Sequence, residues 1–295
     1  MSNVSSDFAD QLQPIIRHTV IHTLRRPDEF TKIFNIKDSK KRDEVDSLVA
    51  AFGPMPRKNE GTPIFYDAAL EGPRTTYVHE AFALGFRVTE ELMDDELYGH
   101  IRKLPKGLAI SAKQTTEVTS ANLINNGFSA VTGADGVSLF NTAHPLLGGG
   151  TGSNTPAVAT DLNATSLKEG IIAVEDTVDD RGIPLLFKAV TLIVPSALRW
   201  TAQELLKSKQ KPGSADNDFN PLAAADLGWM LWRYITDANS WYIQANEHEL
   251  NFFWRKRPTL KHAMDFDSGD AKFKMNMRFS VGHSDWRGFY GATGT

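Results

Sequence analysis

Gly133-Ala134-Asp135-Gly136-Val137-Ser138-Leu139-Phe140-Asn141-Thr142-Ala143-His144-Pro145 is the stretch on which the reading of this chain turns. It brings an Asp, a Ser and a His close together, and a glycine-rich run follows from Leu146 to Asn154. Far downstream, Trp286-Arg287-Gly288-Phe289-Tyr290-Gly291 closes a strand-like tail. Asp135, Ser138 and His144 have the residue types of a hydrolytic triad. A triad is a matter of geometry, however, and closeness in sequence counts for little. Asp135-Gly136 reads better as a turn. His144-Pro145 reads as an extended dipeptide, because the ring of Pro145 restricts His144.

The bulk composition narrows the field. With 295 residues, 41% hydrophobic and 23% charged, the chain can bury a sizeable core in one large domain or two modest ones. Its net charge of −4 is unlike that of a strongly basic DNA-coating protein. There are no cysteines, which excludes disulfides, thiolate metal sites and Cys nucleophiles together. Met1 to Asp10 is polar and acidic rather than a signal peptide. No apolar run is long enough for a membrane span.

Along the chain, residues 1–43 read as an arm. A helix is expected from Gln11 to Arg26 with Ile15, Ile16, Val20 and Leu24 on one side, and Ser39 to Asp43 reads as a solvated turn. Residues 44–88 read as a long hairpin. Glu44 to Phe52 is one strand. In Thr76 to Val88, the residues Val78, Phe82, Leu84, Phe86 and Val88 share one side at period two. Between them Pro54, Pro56, Gly61, Pro63, Gly72 and Pro73 forbid a regular element. Ile64, Phe65 and Tyr66 nevertheless lie there. So long a connection needs a reason, and an apolar tip that docks on a neighbour would supply one.

Thr89 is a candidate N-cap, with Glu90, Glu91, Asp94 and Asp95 at the positive end of a helix. The helix continues through Leu97, Ile101 and Leu104, is interrupted at Pro105 and Gly107, and resumes from Leu108 to Asn126. Ser166 to Glu169 reads as a capping box, and Gly182 and Pro184 end the helix that follows. Leu185 to Val194 suits a buried strand, and Pro195-Ser196 opens another helix. Leu231 to Thr236, Trp241 to Gln244 and Leu250 to Trp254 are short strand candidates. The clearest strand is Lys272 to Val281, where Phe273, Met275, Met277, Phe279 and Val281 alternate with Lys272, Lys274, Asn276, Arg278 and Ser280.

Other chemical motifs fail. Gly148 to Gly152 has no following Lys and no helix, so it reads as a flexible surface loop rather than a phosphate cradle. His79-Glu80 and His248-Glu249 each lack the second His of a zinc protease, and His79 reads as an ordinary surface or interface residue. Asp176, Asp179 and Asp180, beside Arg181, read as the exposed end of a helix. These readings leave no catalytic, cofactor or metal residue assigned. A hydrolase using Asp135, Ser138 and His144 stays as an alternative of a different class.

A set of short motifs then falls into order: Asp135-Gly136 with Leu139-Phe140, His144-Pro145, Asp179-Asp180-Arg181-Gly182 with Pro184-Leu185-Leu186, and Val194-Pro195 with Glu204 to Ser208. After these come Pro212-Gly213 with Asp216-Asn217-Asp218, and the ending Ser284 to Gly291. In this order the chain resembles tailed-bacteriophage major capsid proteins of the Hong Kong 97 fold, most of all the major head subunits of Mu-like phages and prophages. The resemblance covers most of residues 75–295 and is weakest in the arm.

The resemblance implies an α+β fold: an N-terminal arm (1–43), an extended β-hairpin loop (44–88), a peripheral domain with a long spine helix (89–161), an axial domain (162–271) and a returning peripheral strand (272–295). Arm and loop would project from the subunit. It implies a non-enzymatic protein without cofactors. Such a protein is made in the bacterial host cytoplasm and self-assembles into the hexamers and pentamers of an icosahedral virion head around double-stranded DNA. Portal and scaffold proteins, and in some members a decoration protein, are the implied partners; a membrane is not. An encapsulin-like shell around protein cargo is the alternative within the fold. Ile64, Phe65 and Tyr66 would touch another subunit. Lys272, Lys274 and Arg278 would face either DNA or acidic groups of the same or a neighbouring subunit. Some members weld subunits through a Lys–Asn isopeptide bond assisted by a Glu. Lys58 near the loop tip offers a donor, but no motif matches the acceptor or the Glu.

Overall fold

The structure, a computed structural model, describes residues 18–25, 27–50, 52–89, 91–92, 103–129, 131–210, 219–265 and 267–295. It divides into two units. The first takes Met1–Glu44, Tyr77–Ser120 and Phe252–Val281; the second takes Val45–Thr76, Ala121–Asn251 and Gly282–Thr295.

The first unit is built on a sheet of order β1-β10-β11-β4, formed by Asn35–Asp38, Leu250–Met264, Ala271–His283 and Glu80–Val88. β11 is central, as its two useful faces suggest, and pairs antiparallel with β4 from Ala271↔Val88 to Phe279↔Glu80. Phe273, Met275, Met277 and Phe279 are buried, whereas Lys272 and Lys274 are exposed. Phe279 stacks on Phe82 and Phe252 at centroid distances of 4.8 and 5.0 Å. Helix α1 (Lys103–Asn125) turns Leu108 and Ala112 towards Phe82, Leu84, Met275 and Met277 around a cavity of about 250 Å³.

Four expectations change here. The described helix, Lys103–Asn125, includes Pro105 and Gly107 and is not interrupted there. The proposed strand Thr76 to Val88 is two strands, β3 (Leu70–Val78) and β4, broken at His79. Tyr77 and His79 are buried and Val78 is 61% exposed, so the inward side switches at the break. His79 is therefore no surface residue: Nε2 lies 3.0 Å from Ser39 Oγ and Nδ1 2.9 Å from Ser280 Oγ. The arm does not project from residue 28 onward. Phe30, Ile33 and Phe34, spaced as one helical face, are buried, and the backbone amide of Phe30 donates to the buried carboxylate of Glu117, 3.2 Å away. Of the expected N-terminal helix, residues 18–24 are helical, with Val20 buried, and Ile15 and Ile16 lie outside the described residues. Thr89 does cap, accepting from the Leu92 amide at 3.4 Å; Asp94, Asp95, Leu97, Ile101 and the 212–218 motifs lie outside the described residues.

The second unit carries a sheet of order β12-β9-β7-β8: Phe289–Ala292, Trp241–Ala245, Ala189–Val194 and Gly228–Leu231. β7 and β8 are parallel, and the other pairs antiparallel. Helices α2 (Ala164–Glu175) and α3 (Arg199–Lys207) bury Leu167, Val174, Ala202 and Leu205 with Leu192, Trp241 and Ile243 of the sheet. The capping box starts three residues earlier than expected: Asn163 accepts from Thr165 and Ser166, and Ser166 Oγ accepts from the Asn163 amide. Two short sheets complete the unit. One is the hairpin of β2 (Asp43–Ala50) with β3; the other pairs β5 (His144–Pro145) with β6 (Thr151–Gly152).

The units cut the chain differently from the ranges that the resemblance implied. β10 runs far beyond Trp254, because Arg255, Arg257, Thr259 and Lys261 alternate with the half-buried Lys256, Pro258 and Leu260. Most of this strand falls in the first unit. The tail 282–295 falls in the second, because Gly288, at φ +79°, turns the chain and Phe289–Ala292 pairs with β9. Phe279→Ala should destabilise the first unit by about 3–5 kcal/mol, the usual cost of removing a buried ring. Denaturant unfolding of the variant measures it, and an unchanged midpoint would contradict this account of the sheet face.

Candidate functional site

The two stretches that decide the reading meet in the core of the second unit. The 133–138 turn is closed by Gly133 N–H donating to Val137 O at 2.7 Å, with Gly136 at φ +85°. It presents Asp135 to His144, which is 1% exposed, with Nδ1 2.6 Å from Asp135 Oδ2. The other ring nitrogen, Nε2, faces Asn154 Oδ1 at 3.2 Å. The ring stacks on Trp286 at 4.3 Å and 9°. Ser138 is not a member of this relay. Its hydroxyl donates to Phe140 O at 3.0 Å and accepts from Asn141 Nδ2 at 3.2 Å.

The triad reading is corrected by this geometry. A hydrolytic His must offer its far nitrogen to the nucleophile, and here Asn154 occupies that position. The cavity beside Asp135, bounded by His283, Trp286 and Arg287, measures about 30 Å³. That is a water's worth of space, and small-molecule pockets run to about 300 Å³ and more.

Asn154 ends the glycine-rich run just beyond the Gly148 to Gly152 loop, yet it is 5% exposed and central. Its amide nitrogen lies within hydrogen-bonding distance of the carbonyls of Leu139, Phe289 and Trp286, at 2.7, 3.1 and 3.4 Å. Its carboxamide oxygen accepts from the Asn141 amide at 3.0 Å, and its backbone carbonyl accepts from Gly291 N–H at 3.0 Å. No local pattern marks such a residue, because two of its partners lie 132 and 135 residues away. The glycines around it are set by packing. A Cβ on Gly152 would fall 2.6 Å from the Trp286 ring, and one on Gly291 equally close to Phe140.

A second device joins Asp179-Asp180-Arg181-Gly182 to the tail. Asp180 is buried rather than the exposed end of a helix. Arg287 Nη2 donates to its Oδ1 at 2.9 Å, while Arg287 Nη1 reaches Asp285 at 3.0 Å and Nε reaches the Val178 carbonyl at 3.1 Å. Burial opposes the charge on Arg287, but Asp285 and Asp180 outweigh it and raise its pKa. Arg181 points the other way, with Nη1 2.7 Å from Asp67 Oδ2 in the long loop.

Among the residues expected to act outside the core, Ile64, Phe65 and Tyr66 are 64%, 69% and 88% exposed on a segment without strand pairing. Lys272, Lys274 and Arg278 lie on one side of β11, opposite Arg87, Gly85 and Ala81 of β4. Lys272 is paired with Asp265, and Arg278 Nε donates to the His79 carbonyl at 3.2 Å. Lys274 is exposed. Among the described residues no group of His, Asp or Glu is arranged to hold a metal ion, and no helix is long and apolar enough to cross a membrane.

Asp135 and His283 titrate abnormally. Burial opposes ionisation of Asp135, but the hydrogen bond and charge of His144, with the Val137 amide, outweigh it and hold the carboxyl below its ordinary range. Burial pushes His283 down from 6.5 to about 4, although the Asp135 charge pulls the other way. His283 continues the inward parity of β11, which is the sequence signal that could have found it. Between these pKa values the unfolded chain binds a proton that the folded chain refuses. Stability should therefore fall as pH drops from about 6.5 to about 4, by roughly 3 kcal/mol from this group, and level off below. His283→Gln should flatten that part of a stability–pH curve measured by urea unfolding; an unchanged slope would remove His283 as its source.

Comparisons with known proteins agree with this architecture. The solved structure from Microbacterium phage Oxtober96 superposes with a TM-score of 0.56 at 15% identity, covering 92% of each chain. The procapsid of bacteriophage JBD30 gives 0.54 at 14% identity, over 99% of this chain and 77% of that one. A virus-like particle from Pyrococcus furiosus gives 0.56 at 9% identity, over 95% and 98%. At such identities these likenesses speak for the fold alone. Comparison with curated proteins gives no match. The family model described as phage capsid protein matches residues 73–292, and the chain belongs to that family.

Proposed function

We propose that this chain is the major head subunit of a tailed double-stranded-DNA phage, of the Hong Kong 97 type and most like Mu-like head proteins. Copies of it assemble into the hexamers and pentamers of an icosahedral shell. The family match over residues 73–292 carries the reading. The role is structural: the one Asp–His pair that suggested hydrolysis is tied into the core through Asn154 and Trp286.

The long loop supports a mechanism of assembly. Burying one large apolar side chain is worth about 1.5–3 kcal/mol, and Ile64, Phe65 and Tyr66 are left in water by their own subunit. Docked on a second copy they form the centre of an interface, repeated around the shell, in the obligate range of roughly 2,000 Å² or more. Lys272, Lys274 and Arg278 serve either acidic groups of the same or a neighbouring subunit, as Lys272 does with Asp265, or packaged DNA, by contacts that weaken with salt. Portal and scaffold proteins, and a decoration protein where there is one, complete the proposed partners.

Expression of the protein, followed by electron microscopy of the product, tests the reading; particles are expected, and a persistent monomer would oppose it. Particles filled with protein rather than nucleic acid would favour an encapsulin-like compartment instead. Tyr66→Asp is expected to leave the subunit folded by circular dichroism while strongly reducing particle yield. Normal shells from that variant would remove the loop tip from the mechanism.

A further inference from the structure

The loop whose tip is exposed is held at its neck by two side chains, Asp67 and Arg181. Asp67 joins the two sides of the neck: its Oδ2 accepts from the Gly53 amide at 2.9 Å, and its Oδ1 from the Ala68 amide at 2.9 Å. Arg181 grips the same place, with Nη1 donating to Asp67 Oδ2 at 2.7 Å and Nη2 to the Ala68 carbonyl at 2.5 Å.

The grip comes from a rigid support. Arg181 sits in a tight turn closed by the Val178↔Pro184 bridge, with Gly182 at φ +79°. Asp179 Oδ1 accepts from the amides of Arg181 and Ile183, both at 2.8 Å. The adjacent Asp180 is locked to Arg287 and accepts from the Leu147 amide at 3.2 Å. The backbone of Arg181 is thus pinned on both sides, and its guanidinium is aimed outward at the loop. The hairpin is also anchored nearer its root, where Ser284 Oγ donates to Asp46 Oδ2 at 2.6 Å.

We propose that Arg181 is a positioning residue for assembly: by clasping Asp67 and Ala68 it fixes the direction in which Ile64, Phe65 and Tyr66 leave the subunit to meet a second copy of this chain. The proposal rests on the loop-tip reading given above. A loop ordered before docking loses less conformational freedom when it docks. The clasp thereby ties the Asp-Asp-Arg-Gly turn and the Trp-Arg-Gly tail to shell formation, a use beyond holding the core.

The test compares wild type with Arg181→Ala, Asp67→Asn and the exchange Arg181→Asp with Asp67→Arg. Assembly is followed by light scattering and electron microscopy, and folding by thermal unfolding. Hydrogen exchange at the Gly53 amide reports the neck directly. Each single variant is expected to keep its unfolding midpoint, to exchange the Gly53 amide faster and to lower the association constant about tenfold, the scale of ordering a neck and its side chains at docking. The exchanged pair is expected to recover part of the loss. Wild-type assembly by both single variants would overturn the proposal, as would Gly53 exchange that stays slow in Arg181→Ala. If Arg181→Ala lowers the unfolding midpoint, Asp67→Asn decides, since Asp67 lies outside the core. Tyr66→Asp separates the two readings. Impaired Tyr66→Asp with normal clasp variants refutes the clasp alone, whereas normal assembly by Tyr66→Asp refutes the loop-tip reading beneath it.

Discussion

Asn154 imposes the constraint on which the second unit depends. A buried carboxamide must find partners, or its desolvation costs about 1–3 kcal/mol for each unsatisfied group. Here the partners are backbone carbonyls of Leu139, Trp286 and Phe289, so the 133–154 segment and the C-terminal tail cannot be placed independently. His144 tightens the constraint. Its ring nitrogens lie 2.6 Å from Asp135 Oδ2 and 3.2 Å from Asn154 Oδ1, and the Trp286 face lies flat against the ring. The two motifs therefore read as one unit, although more than a hundred residues separate them.

Period and turn chemistry made much of the fold legible. β11 followed its alternation into the centre of a sheet, and the Asp135-Gly136 turn and the extended His144-Pro145 pair formed as their residues dictate. The errors have a common source: residues whose roles depend on partners distant in sequence. Asp180 looked like a helix end because Arg287 lies 107 positions on. His79 looked like a surface residue because the hydroxyls that hold it belong to Ser39 and Ser280. Phe30, Ile33 and Phe34 sat in a stretch taken for an arm, although their own helical spacing asked for burial. The candidate triad shows the limit from the other side. Asp135 and His144 do pair, but sequence could not say that Asn154 would take the nitrogen a nucleophile needs.

The loop between β2 and β3 presents the opposite problem, apolar side chains that the described residues of their own subunit leave exposed. Phe52, Met55, Ile64, Phe65 and Tyr66 are all exposed. An exposed apolar segment is a hazard when it can extend as a strand, since open amides and carbonyls then template further strands. Pro54, Pro56 and Pro63 lack amide donors and interrupt any such ladder, and Gly61, at φ +78°, adds a turn incompatible with a flat strand.

That composition constrains how the loop is used. If the loop docks on a second copy as proposed, a proline-broken segment is recognised through its side chains, and side-chain recognition is sensitive to direction. A swinging loop would present Phe65 and Tyr66 over many orientations, of which few fit a partner surface. The proposed clasp would limit that freedom at the neck, where Asp67 bonds the Gly53 and Ala68 amides and Arg181 bonds Asp67 and the Ala68 carbonyl. On the proposed loop-tip reading, apolar tip, proline-broken backbone and charged clasp answer one requirement: the loop must stay soluble in the free subunit and still arrive oriented at the next.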